Sequence, residues 1–309
     1  MLDLTRLRVL AEVAKHGSVT AAAQALHYAQ PSVSHHLARL EEETGAKLVQ
    51  RVGRGIRLTD AGRMLAERAA EILGRLGAAE AELSAHTGLR QGRVRLAAFP
   101  SALGTFVPKA AALLAEKFPN LDLRLREAEP PEALQQLRAG EIDVAVVFAH
   151  EFAADNGLPP PPDDDGVRLT HLLTEPVHLV VPKGKRRRKN LAAYADERWI
   201  AGCDRCRRHL LAQCARAGFT PKIAFTTDDY VAVQALVAAD LGVTTLPELA
   251  LLSVRHAGIV ALPLPGAVRS VLAATYGQPP DPPATAALLD ALSRSVPRQG
   301  LTRGARAPA

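Results

Sequence analysis

Apolar residues at Leu4, Leu7, Leu10 and Val13 recur every three or four positions behind a capping Asp3 and stop at Gly17, the spacing of an amphipathic helix. Ser18 caps a second, shorter stretch carrying Val19, Ala22, Ala23 and Leu26, whose small side chains let a neighbouring helix come close. A turn over His27 to Ala29 leads to Pro31, which suits the first turn of a third helix because a missing N–H costs nothing there. That helix runs to Glu43, before Gly45. At roughly 100° per residue, Val33, Leu37 and Leu40 share one side. Ser32, His35 and Arg39 then face outward, with Gln30, Ser34 and His36 on the flanks. Three short helices with a tight turn before the third describe a helix-turn-helix, whose third helix enters the major groove of double-stranded DNA. The outward groups are donors and acceptors suited to bases and phosphates; a solvated polar face is the plainer alternative.

The following window sets Lys47, Arg51, Arg54, Arg57 and Arg63 against a single acid, Asp60. Residues Arg51 to Thr59 read as a glycine-tipped hairpin, a basic wing that lays Arg54 or Arg57 against phosphates or into a minor groove. Thr59 or Asp60 then caps a helix to about His86, along which Leu65, Ala69, Ile72, Leu76, Ala79 and Leu83 alternate in steps of four and three, a heptad seam. A rod of about 40 Å is too long to bury that seam against a sixty-residue head. A second copy is the expected partner, and a homodimer would carry two third helices to two half-sites. Packing onto the chain's own C-terminal part is the alternative, favoured by the two alanines in the seam.

Beyond Gly88 and Gly92 the pattern changes to short apolar runs between helical stretches. Val94–Phe99, Leu121–Glu127 and Ile142–Phe148 read as strands, with helices at Leu103–Phe118 and Pro131–Ala139, a βαβαβ parallel unit. A second set has strands near Val177–Val181, Trp199–Ile200, Ile223–Thr226 and Val243–Leu246, and helices near Arg205–Ala217 and Asp229–Ala239. The chain closes with a strand at Val271–Tyr276 and a helix at Ala284–Ser295. Two α/β units imply a cleft. Ligands bind such sheets beyond the carboxyl ends of strands, which singles out Ser101, Phe148, Gly202, Cys203, Thr227 and Asp228.

The runs Gly17-Ser18-Val19-Thr20-Ala21-Ala22-Ala23-Gln24-Ala25-Leu26, Gln30-Pro31-Ser32-Val33-Ser34, Leu40-Glu41-Glu42-Glu43-Thr44-Gly45 and Arg57-Leu58-Thr59-Asp60-Ala61-Gly62 resemble the LysR-type transcriptional regulators. The resemblance implies an α/β architecture in four parts. Residues 1–59 form a winged helix-turn-helix and 60–88 a linker helix for a homodimer or homotetramer. Residues 91–296 form an effector-binding domain like a type 2 periplasmic binding protein, and 297–309 a disordered tail. Lobe I takes 91–168 and 268–296, and lobe II 169–267, with two crossovers between them. It also implies that Gln30, Pro31, Ser34 and position 35 approach bases, that Arg54 approaches the minor groove, and that the four strand ends above line a cleft for a small-molecule effector. A long basic side chain is common at position 35; this chain has His35, then His36.

Composition narrows the picture. With 48% apolar residues there is ample core. No stretch has the length of uncharged apolar sequence a membrane span needs, and early charges break any export signal, so a cytoplasmic protein is expected. The net charge of +6 is not concentrated in residues 1–90, where twelve basic residues meet ten acidic ones. Lys183 to Lys189 form a basic loop, either solvated or touching DNA, and Pro159 to Asp165 a stiff acidic connector. The three cysteines, Cys203, Cys206 and Cys214, make no disulfide framework. A single C-x-x-C with His209 on the same helix is a poor zinc site, so neither metal nor cofactor is expected. Thiol redox sensing is the alternative function, since the peroxide-sensing branch of the LysR family keeps paired cysteines in this segment and Arg205, Arg207 and Arg208 would lower a thiol pKa. An enzyme is disfavoured, for the chain lacks G-x-S-x-G, Walker A, H-E-x-x-H and a strand-borne G-x-G-x-x-G.

Overall fold

The computed structural model describes residues 2–52, 55–86, 92–150, 166–185, 188 and 190–297. Arg54, the acidic connector, part of the basic loop and the tail beyond 297 lie outside them. The chain divides into two units, residues 1–89 with 134–143, and residues 90–133 with 144–309.

In the first unit, α1 (Leu4–His16), α2 (Val19–Leu26) and α3 (Gln30–Thr44) follow one another with little linker. Asp3 accepts from the Arg6 N–H at 3.1 Å, and Gly17 and Gly45 end α1 and α3 in left-handed conformation. His27 ends α2 in the same conformation, which makes the tight turn. Leu7, Leu10, Val33, Leu37 and Leu40 are buried together as one apolar core. Strands β1 (Val49–Val52) and β2 (Gly55–Leu58) pair antiparallel as the wing. Glu41 on α3 accepts from the Leu48 and Val49 N–H groups at 2.9 and 3.2 Å, which fixes where the wing leaves the helices. Thr59 accepts from the Gly62 N–H at 3.0 Å and starts α4 (Asp60–His86).

In the second unit β3 (Arg93–Ala98), α5 (Pro100–Leu103), α6 (Val107–Lys117), β4 (Asp122–Glu127) and β5 (Val144–His150) begin a sheet in which β3 is parallel to both β4 and β5, and α7 (Pro130–Arg138), between β4 and β5, belongs to this unit only as far as Ala133. The expected helix at Leu103–Phe118 is two helices, divided at Gly104 to Phe106. Strand β6 (Val167–Pro182) precedes a short 3-10 turn (Leu191–Tyr194), β7 (Arg198–Ala201), α8 (Asp204–Arg216), β8 (Lys222–Thr226), α9 (Tyr230–Ala238), β9 (Thr244–Pro247), α10 (Glu248–Ser253), β10 (Ile259–Tyr276) and α11 (Pro283–Ser295).

Two strands correct the sequence reading. Expected as Val177–Val181 and Val271–Tyr276, β6 and β10 instead pair antiparallel from Ile259 opposite Pro182 to Tyr276 opposite Val167, through a bulge at Pro263 to Val268. The sheet order is β4-β3-β5-β10-β6-β9, mixed in direction, with β7 and β8 a separate parallel pair joined by one bridge from Trp199 to Val243. The two crossovers are thus the two longest strands. One apolar core lies between the β3 end of the sheet and α6 and α11, and two more flank the β6 end against α8 and against α9 and α10.

Candidate functional site

On α3, Val33, Leu37 and Leu40 are buried, which turns Gln30, Pro31, Ser32, Ser34, His35 and Arg39 to solvent. Arg39 is held by Glu42 at 2.8 Å. His36 is half-buried between Tyr28, with ring centres 6.0 Å apart, and His35 at 6.2 Å. The exposed Tyr28 was missed in the sequence; an aromatic residue at the turn before the third helix was its signal. Arg57 is exposed on β2, while Arg54 lies outside the described residues.

The α4 seam divides in two. Ala69 is fully buried in the head core and Leu65 packs against it, so these positions are taken by the chain's own head. Ile72, Leu76 and Ala79 are exposed. The side chain of Leu83 lies outside the described residues.

In the second unit, Gly202, Cys203, Thr227 and Asp228 line one pocket together with Glu129, Cys206 and Tyr230. The β7–α8 and β8–α9 junctions supply most of its polar wall, and Val233, Leu246 and Pro247 its apolar wall. Burial pushes the Glu129 carboxyl up, with the charge of Asp228 adding to it. Among the described residues lining this pocket there is no Lys, Arg or His.

Ser101 and Phe148, expected on the cleft surface, are fully buried and do not line the pocket. The reason is Arg269, itself fully buried. Its guanidinium lies 4.9 Å from the Phe99 ring centre and 4.5 Å from that of Phe148, a cation–π sandwich. It donates to Ser101 Oγ at 3.0 Å and through Nε to Glu175 at 2.7 Å. Glu175 also accepts the Leu249 N–H at 2.6 Å. Burial pushes the Glu175 carboxyl up, and these partners oppose it. Arg269 is therefore a buried link between β10, β6 and α5. One layer away, His150 at the end of β5 stacks on His209 of α8 with centres 4.0 Å apart and planes 11° apart. Burial, with the nearby charges, lowers His150 to about 2 and His209 to about 4. Charged residues inside apolar strand runs, Glu175 and Arg269, were the signal that sequence reasoning passed over.

The cysteines are not equivalent. Cys203 is half-buried at the start of α8, and its thiol is held below its usual value by the adjacent Cys206 against the effect of burial. Cys206 is raised by the same contact and by burial. Of the three arginines expected to act on the thiols, Arg207 and Arg208 are exposed, while the buried Arg205 feels the charge of both Cys203 and Cys206. Cys214 is buried in apolar core, and burial raises it to about 12. Among the described residues no three metal-ligating side chains cluster, and no helix is long and apolar enough to cross a membrane.

A family model described as LysR substrate binding domain matches residues 87–297, and one described as bacterial regulatory helix-turn-helix protein, lysR family, matches residues 4–63. The uncharacterized HTH-type transcriptional regulator YcgK of Bacillus subtilis (strain 168) is 30% identical over 274 residues, 80% of this chain and 81% of that protein. A probable hydrogen peroxide-inducible genes activator of Streptomyces viridosporus is 30% identical over 259 residues, 80% of this chain and 78% of that one. The crystal structure of CbnR, a LysR family transcriptional regulator, matches in fold with a TM-score of 0.60 at 22% identity, over 95% of this chain and 99% of that one. With a helix-turn-helix that turns a polar third-helix face to solvent, and with an effector-binding domain behind it, the chain belongs to the LysR family of DNA-binding transcriptional regulators.

Proposed function

We propose that this regulator is switched by a small molecule held in the pocket of Glu129, Gly202, Cys203, Thr227 and Asp228, and that it acts in the cytoplasm by binding rather than by catalysis. The observation that carries the reading is convergence. Two strand-to-helix junctions and the residue preceding α7 meet at one polar pocket, as binding sites of open α/β sheets do. Ser101 and Phe148 act behind that wall, by holding Arg269. A ligand that prefers one arrangement of the lobes shifts the population between them. On DNA, Gln30, Pro31, Ser32, Ser34, His35, His36 and Arg39 take the base-reading role and Arg54 and Arg57 the backbone role. The dimer seam runs through Ile72, Leu76, Ala79 and Leu83. The functional division follows 1–59, 60–88 and 91–296.

The test is a footprint on duplex DNA from the gene's own upstream region, with thermal-shift screening of a metabolite library. Thr227→Tyr, which fills the pocket, should keep DNA binding and lose both the ligand-induced rise in Tm and the footprint change. An unaltered response would remove the pocket from the mechanism. On the DNA side, His35→Ala should change the selected consensus, by about 1–3 kcal/mol at one base. Arg57→Ala should weaken all sequences alike and reduce the salt slope by about one.

The lowered Cys203 thiol with Cys206 beside it favours one second reading. Peroxide would take the two thiols to a disulfide and leave as two waters, and the name of the Streptomyces relative supports that chemistry. Cys214 has no part in it. Under this reading Cys203→Ser loses a peroxide-dependent footprint change that dithiothreitol reverses, while Thr227→Tyr keeps it.

A further inference from the structure

Tyr28 stands in the turn between α2 and α3 with 42% of its surface exposed. Its backbone is fixed. His27 before it is left-handed at φ 56°, and the Tyr28 N–H donates to the Ala23 carbonyl at 2.9 Å. From that anchor the ring reaches α3, where its centre lies 6.0 Å from that of the His36 ring at a tilt of 30°. His36 in turn meets the exposed His35 edge-on, with centres 6.2 Å apart and planes at 62°. Rings at such spacings attract one another. The three therefore run in file, Tyr28 to His36 to His35, from the turn to the outward face of α3.

A ring left this open adds less to the core than a buried one, because the area it removes from water is small. What it does add is order beside the polar face of α3. A histidine on a helix surface samples several rotamers, and a hydrogen bond to a base edge discriminates fully only when the ring is already aimed. Tyr28 takes that freedom from His36, and His36 limits His35. Resting on the base-reading role given to His35 and His36 above, we propose that Tyr28 is a specificity-determining residue of the DNA interface, a positioning residue whose ring, and not its hydroxyl, sets the direction in which the two imidazoles meet the bases.

The full chain and its variants are put through binding selection on randomised duplex DNA, and their affinity for a nonspecific duplex is measured over a range of salt. Tyr28→Leu, which keeps an apolar side chain but no ring, should lose about tenfold discrimination at the base positions that His35→Ala or His36→Ala alters. Its nonspecific affinity and salt slope should match the wild type. Tyr28→Phe should return the wild-type consensus. Tyr28→Leu combined with His36→Ala should discriminate no worse than His36→Ala alone, because the two act as one unit. An unchanged consensus for Tyr28→Leu would overturn the proposal, as would a loss at positions that neither histidine variant touches. A Tyr28→Phe consensus as altered as that of Tyr28→Leu would make the hydroxyl the reader, and a loss of nonspecific affinity in Tyr28→Leu would assign the ring to the fold instead of the interface. If neither His35→Ala nor His36→Ala moves the consensus, the base-reading role of the histidines falls and this proposal with it. If they move it and Tyr28→Leu does not, that role stands and only the positioning by Tyr28 is wrong.

Discussion

The head and the lobed unit bury their interiors in opposite ways. Around Leu7, Leu10, Val33, Leu37 and Leu40 the head core is aliphatic throughout, and its ion pairs, such as Arg6 with Glu43 and Lys47 with Glu41, sit at its rim. The lobed unit buries Arg269, Glu175, Arg205, His150 and His209. Apolar packing is non-directional and tolerant of volume-conserving exchange. A buried ion tolerates little, because removing one partner leaves the other uncompensated. The head is therefore built to hold one shape, and the polar interior of the lobes to answer to whatever satisfies it.

The sharpest way to break that comparison is Arg269→Met. It strands Glu175 in the interior, and urea unfolding of the full chain should register a loss of about 3–5 kcal/mol in the lobed unit. The volume-conserving Leu37→Met in the head should cost under about 1.5 kcal/mol. Equal losses would end the contrast. Acidification comes next. With folded values of about 4 for His209 and about 2 for His150, both below the ordinary 6.5, the unfolded chain takes up protons first as pH falls. The stability of the lobed unit is then intact above pH 6.5 and declines below it, by about 2 kcal/mol per histidine by pH 5. His209→Gln should flatten that slope, and an unchanged slope would show that the stacked pair is not its source. The smallest effect concerns Glu129. Its raised carboxyl means that the folded chain resists ionisation above the ordinary value of 4.5, so its ionised form costs stability at neutral pH and nothing at pH below that value. Glu129→Gln should raise the ligand-free Tm slightly at pH 7 and leave it unchanged at pH 4.

The same contrast explains what the sequence discloses. The head is legible because each helix carries its own punctuation: Asp3 and Ser18 at the starts, Gly17 and Gly45 at the ends, Pro31 in the first turn of α3. Periodicity then orients α3 without any knowledge of its neighbours. Strands β6 and β10 are legible only in part, because Glu175, Pro263 and Arg269 interrupt the pattern, and only a partner strand or a buried counter-ion makes such residues acceptable there. The junction argument reached Gly202, Cys203, Thr227 and Asp228, which meet at the pocket wall. It misdirected Ser101 and Phe148, since the direction a side chain takes after a strand depends on what packs over it, here the guanidinium of Arg269. Glu129 stands at a junction of the same kind, two residues beyond β4 and just before α7, where the argument was not carried, whereas His209 lies inside α8, away from any strand end.

The burial of Ala66 and Ala69 in the head core, at 5% and 0% exposure, bears on how the protein can be cut and recombined. The head has no clean edge at Thr59, because the first turns of α4 complete its interior. A fragment ending there would leave the underside of α1 bare and should fold poorly, whereas one running past Ala69 keeps the core closed. Chimaeras that exchange heads between relatives must likewise be spliced beyond Ala69. They must also keep a glycine at 62, where a Cβ would stand 2.0 Å from the Leu48 carbonyl oxygen.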